Sequence, residues 1–182
     1  MKKLMIFTMM MFLTNVSFGQ ITTAEPELAG QVAVLNADGT TTLLQKESAT
    51  IKTKSSKWGM IPIPGSGLLD KAKVQLVIKG KEAPISVQGG TVTLLVKATS
   101  NELDPKQVFG IMKLNVEKKS RTFLMGDYSL IGGSNTTLSY SNVPFKVEKY
   151  GDSSYVVTIE NAEAGEYAVN TDFTQLATLS VK

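Results

Sequence analysis

From position 20 onward the chain is cut into short runs rich in β-branched and aromatic residues, each closed by Gly, Pro, Asn or Asp. About a dozen such runs follow one another, with a turn signal about every 8–12 residues, the spacing of an antiparallel sandwich or barrel. No window after position 20 sustains a 3.6-residue apolar period over three turns, so a helical fold is excluded. The best helix candidates, near Gly67–Ala72 and Thr174–Leu176, amount to about one turn each. The fold expected is all-β: an antiparallel β-sandwich of immunoglobulin-like architecture, with an N-terminal hairpin packed on or beside it.

The runs can be placed individually. Gln31–Leu35 and Thr41–Gln45 flank Asn36-Ala37-Asp38-Gly39, a hairpin turn with Gly39 where positive φ is needed. Ala49–Lys54 reads as an edge strand guarded by Lys52 and Lys54. Ile61-Pro62-Ile63-Pro64-Gly65-Ser66-Gly67 cannot continue a ladder and reads as a loop or seam. Val74–Lys79, Ile85–Gln88 and Thr91–Lys97 follow, then a turn over Asn101–Lys106 in which Asp104-Pro105 fixes the geometry. Val108–Glu117 pairs with Ser120–Met125 across Lys118 and Lys119. Gly132–Asn135 is a loop, Val143–Lys149 pairs with Tyr155–Glu160, and Glu166–Asn170 and Ala177–Val181 complete the series. Residues 31–182 are expected to form one domain, with a possible subdivision near 61–67, because about 40 residues are too few for a separate core.

The N-terminus has a different texture. Lys2 and Lys3 precede an apolar run from Leu4 to Leu13, and Ser17 and Gly19 stand at −3 and −1 of a cut before Gln20. This is the three-part layout of a secretory signal over residues 1–19, with 20–30 as a linker. The run is shorter than the roughly 18–20 residues that cross a bilayer, so no transmembrane segment is expected in the mature chain. With no cysteine in the chain, a lipoprotein is excluded, and the expected location is the periplasm or the cell exterior. Losing Lys2 and Lys3 takes the 19 basic residues to 17 against 16 acidic ones, a net charge of about +1. That balance argues against nucleic acid as a partner.

Missing residue types remove whole chemistries. With no His and no Cys there is no Ser-His-Asp triad, no thiolate nucleophile, no disulfide and no ordinary transition-metal site. Carboxylates could still run a glycosidase, but Glu102, Asp104, Asp127, Asp152, Glu160, Glu163, Glu166 and Asp172 are dispersed, mostly in turns. A calcium site would have to be shared by Glu160, Glu163 and Asp172; ordinary charges on one loop account for them better. Ser120 beside Lys118, Lys119 and Arg121 reads as a solvated basic turn rather than a Ser–Lys pair, since a lysine base must be desolvated. Gly65-Ser66-Gly67 and Gly132-Gly133-Ser134 open no long helix and read as turns, not phosphate cradles. An outer-membrane barrel is set aside because the runs are short and the chain ends Leu179-Ser180-Val181-Lys182. No catalytic, cofactor-binding or metal-binding residue is assigned. Trp58, Tyr140, Tyr150 and Tyr155 remain as candidate ligand contacts, because exposed aromatic rings stack on sugars.

Gly165-Glu166-Tyr167-Ala168-Val169 resembles the turn and strand of immunoglobulin-like and fibronectin-like sandwiches, in which a tyrosine hydroxyl folds back onto upstream backbone. Val169 stands where immunoglobulin domains carry their second disulfide cysteine, so the resemblance reaches the architecture only. As a whole the chain resembles uncharacterised secreted proteins of Gram-negative bacteria that end in a Gly-Glu-Tyr-Ala strand, which implies location and fold. The function expected is a non-enzymatic, exported binding module of the cell envelope with a protein or envelope component as partner. A glycan-binding module and a small carboxylate-only hydrolase are the alternatives. No cofactor is expected.

Overall fold

The computed structural model describes residues 23–55, 71–129 and 139–182. The signal-like segment, Trp58, the proline-rich stretch 61–67 and the glycine-rich tract 132–135 lie outside the described residues. Twelve strands and one short helix are present among the described residues: β1 (Val32–Leu35), β2 (Thr41–Leu43), β3 (Lys46–Ser55), β4 (Lys71–Lys79), β5 (Ser86–Val87), β6 (Gly90–Lys97), α1 (Pro105–Val108), β7 (Gly110–Val116), β8 (Ser120–Ser129), β9 (Lys146–Tyr150), β10 (Ser154–Ala162), β11 (Gly165–Asn170) and β12 (Gln175–Val181). The all-β, antiparallel expectation holds, and Gly39 takes its positive φ of 82° in the β1–β2 hairpin.

The strand order is more specific than the expectation. Five strands form an open sheet, β2-β1-β6-β10-β9. The larger sheet runs β11-β7-β8-β4-β3-β12, and a further β11–β12 ladder closes these six strands into a barrel. Among the described residues only β5 joins in parallel, beside the end of β12. The β1–β2 hairpin belongs to the open sheet instead of forming an attached appendage. β3 changes neighbours along its length: Lys46–Ser48 pairs with β12, and Ala49–Ser55 pairs with β4. Thr174–Leu176 is not helical, since Leu176 lies in β12 and Asp172 caps a turn by accepting from Thr174 N at 2.8 Å.

Alternation along the barrel strands sorts two cores. On β12, Ala177, Leu179 and Val181 face the open sheet, where they join Val32, Val34, Leu94, Val96, Val157 and Ile159. Leu176 faces the barrel interior with Leu76, Ile78, Met112, Leu114, Phe123, Met125 and Ala168. Each fully buried aliphatic side chain in these clusters stabilises by about 1.5–3 kcal/mol. Toward one mouth the interior changes from apolar to polar. Arg121, in phase with Phe123 and Met125 on β8, is fully buried there. Its Nη2 donates to both Glu47 carboxylate oxygens (2.8 and 2.7 Å) and its Nη1 reaches Glu166 Oε2 at 3.4 Å. Nη2 also donates to the Lys79 carbonyl and Nε to the Gly80 carbonyl. Thr178 and Ser180, the inward residues that follow Leu176, donate to Glu47 and Glu166 at 2.5 Å each. The solvated basic turn expected at 118–121 is therefore corrected at Arg121: Lys118 and Lys119 are exposed, and Arg121 plugs the barrel.

The tyrosine-corner contact is present, with Tyr167 Oη donating to the Glu163 carbonyl at 2.8 Å. The segment before β1 is strapped to the open sheet. Glu25 accepts from Lys97 Nζ (2.5 Å), Ser154 Oγ (2.7 Å) and Asp152 N (3.0 Å), while Tyr150 Oη donates to the Thr23 carbonyl. The Lys97 bond is the chief reason the Glu25 carboxyl sits below its ordinary 4.5. A lowered folded value means that the strap contributes fully above 4.5 and loosens as the pH falls through the lowered value. In wild type, the protection factor of the Asp152 amide against hydrogen exchange, taken relative to its intrinsic rate at each pH, should fall on acidification through that window. In Glu25→Gln the amide should already exchange fast at neutral pH and lose the acid step. The same acid step in both proteins would show that Glu25 does not hold the strap.

Candidate functional site

Opposite the Arg121 plug, a cleft of about 670 Å³ opens beside the start of β7 and the end of β11. Three short segments build it. The first is α1. Asp104 caps it by accepting from Lys106 N at 3.0 Å, and Pro105 occupies the first turn, where its missing N–H costs nothing. This single turn places Lys106, Gln107 and Val108 on the cleft wall and sends Phe109 into the core.

The second segment, residues 139–145, lies along β7. Ile111 holds it by four bonds: its carbonyl accepts from Asn142 N (3.1 Å), Val143 N (3.2 Å) and Ser141 Oγ (2.8 Å), and its amide donates to Ser141 Oγ (3.2 Å). Gly110 permits the approach, since a Cβ there would stand 2.6 Å from the Tyr140 carbonyl oxygen. The third segment is the β11–β12 turn, where the Asp172 cap on Thr174 presents Phe173. Those two bonds from Thr174 hold the Asp172 carboxyl below its ordinary range.

The walls are aromatic. Tyr140 and Phe173 meet at 4.9 Å with their planes at 61°, and both rings are open to solvent at 42% and 38% exposure. Below them Phe109 contacts Phe145 at 5.4 Å and Tyr155 at 5.8 Å. The polar lining includes hydroxyls and amides (Tyr140, Ser141, Thr171, Gln107 and Asn170) and the ammonium of Lys106; among the described residues no Asp or Glu lines the cleft. Ser141 and Thr171 are already committed to backbone partners at Ile111 and Gly30. Asn170 differs. It is only 6% exposed, yet among the described residues its carboxamide has no hydrogen-bond partner, and it lines the cleft.

The four aromatic residues singled out from sequence separate. Tyr140 stands on the cleft wall. Trp58 lies outside the described residues. Tyr150 is half-buried on the open sheet and binds the strap. Tyr155 is 1% exposed, so its ring meets no solvent; its hydroxyl donates to the Leu103 carbonyl at 2.8 Å, and burial pushes its pKa up. Phe109, Phe145, Phe173 and Asn170 were not singled out, though alternation in Glu166-Tyr167-Ala168-Val169-Asn170 places Asn170 on the inward face. The acidic residues considered for calcium are engaged apart from one another: Glu160 with Lys146, Glu163 with Lys113, and Asp172 in its turn. Glu47 and Glu166 do converge, but on Arg121. Among the described residues no helix is long and apolar enough to cross a membrane.

Fold and site together define an all-β protein with a closed six-stranded barrel and an aromatic-walled cleft at one mouth. No protein-family model, curated protein or solved structure matches the chain.

Proposed function

We propose that the protein is an exported, non-enzymatic binding module of the bacterial cell envelope, acting in the periplasm or outside the cell, whose contact site is this cleft. The observation that carries the reading is the Tyr140–Phe173 pair, two rings held in fixed contact on a concave wall and still open to solvent. Exposed aromatic area of this kind is stabilised when a partner covers it. The secretory layout of residues 1–19 supports export. The lining supports binding over catalysis, because its Ser141 and Thr171 hydroxyls are tied to backbone and no carboxylate lies there among the described residues. Packing of the open sheet on β7, β11 and β12 supports reading that half of the molecule as a sandwich.

The test uses residues 20–182 immobilised and exposed to solubilised envelope from a Gram-negative host. Wild type should retain a stoichiometric component, and Tyr140→Ser/Phe173→Ser should retain it at least about tenfold less at unchanged Tm. Equal retention by both proteins, or none by wild type, overturns the proposal.

A further inference from the structure

We infer that the ligand of this cleft is a neutral saccharide, held by stacking on Tyr140 and Phe173 and by hydrogen bonds from its hydroxyls to the Asn170 carboxamide; the inference rests on the cleft being a binding site. Three observations lead there. A carboxamide that still reaches solvent and makes no hydrogen bond within the protein is available to a ligand. Asn170 is in that state among the described residues, and the 6% of it that remains exposed gives onto the cleft it lines. A carboxamide offers one acceptor and two donors side by side, which suits adjacent hydroxyls that both donate and accept.

The second observation is the aromatic corner. At 61° to one another and 4.9 Å apart, Tyr140 and Phe173 present surfaces to the apolar C–H faces of a ring lying in the cleft. The third concerns charge and backbone. With no carboxylate and one lysine in the lining among the described residues, nothing there selects a strongly charged ligand. An extended peptide would add to a free strand edge. Ile111 beside the cleft has its N–H and carbonyl taken by Ser141, Asn142 and Val143. A volume of about 670 Å³ lies within the usual range of small-molecule sites.

The experiment is an NMR titration of ¹⁵N-labelled protein, residues 20–182, with maltotriose, cellotriose, mannotriose and N,N′,N″-triacetylchitotriose at millimolar concentration, and separately with an uncharged proline-rich peptide. At least one trisaccharide should shift the Asn170 side-chain amide and the Phe173 and Tyr140 signals saturably. Asn170→Leu should weaken that saccharide at least about tenfold without lowering Tm, since it removes an unpartnered amide. Phe173→Ser, on an exposed turn, should weaken it with the fold intact. Absence of shifts with every trisaccharide overturns the inference, as does undiminished affinity in Asn170→Leu. Saturable shifts at the same signals with the peptide alone overturn the saccharide while leaving the binding module standing.

Discussion

Replacing Arg121 by methionine should cost about 3–5 kcal/mol of stability, because it leaves the buried Glu166 carboxylate and the part-buried Glu47 carboxylate without a counter-charge. For a chain of this size that corresponds to a fall in Tm of roughly 6–20 °C. The guanidinium is fully buried, it binds Glu47 through two bonds, and Glu166 stands on its other side at 6% side-chain exposure. Replacing the whole group is expected to behave differently: Arg121→Met with Glu47→Leu and Glu166→Leu should regain most of the loss, since no isolated charge remains. Denaturant titration of the single and triple variants separates the two cases. A single variant within about 1 kcal/mol of wild type would mean that the plug carries none of the weight given to it, since exposed ion pairs are worth no more than that.

The second large effect is at Tyr155. Tyr155→Ala should cost about 3–5 kcal/mol, the usual cost of deleting a buried aromatic side chain. Tyr155→Phe, which only loses the bond to the Leu103 carbonyl, should cost about 1 kcal/mol. The ring also supports the cleft, because Phe109 packs between Tyr155 and Phe145. Cleft binding should therefore fall in Tyr155→Ala and survive in Tyr155→Phe. A ring that met ligand directly would give the reverse order: little stability lost, and binding lost at once. Thermal melts read together with the titration decide it.

The strands were legible in the sequence to within a few residues, from Val32–Leu35 to Gln175–Val181, because β-branched runs and turn residues act locally. The ladders across Lys118-Lys119 and around Gly151 were legible for the same reason. Closure of the barrel was not. Alternation on β12 is the same whether its neighbours belong to a sandwich or a barrel, and the pairing of Leu176 with Glu47 leaves no local trace. Arg121 was misjudged through its neighbours: Lys118-Lys119-Ser120 suggests a wet turn, whereas the phase of Arg121, Phe123 and Met125 points inward. Tyr155 carries the same lesson, in phase with Val157 and Ile159 of the core. The helix at Pro105–Val108 was readable in principle from Asp104 as cap and proline after it. At the cleft, Tyr140 was among the residues singled out from sequence, while Phe173 and Asn170 acquire meaning only once the start of β7 and the end of β11 are brought together.

β12 has consequences for how the molecule assembles. It pairs with β11 along one side and with β3 on the other, and the contact between Gln175 and Ser48 joins positions 127 apart in the chain. Such distant partners meet slowly, since the entropy of closing a long loop is lost before the contact returns anything. The molecule is thus expected to spend its early life as hairpins awaiting a seam.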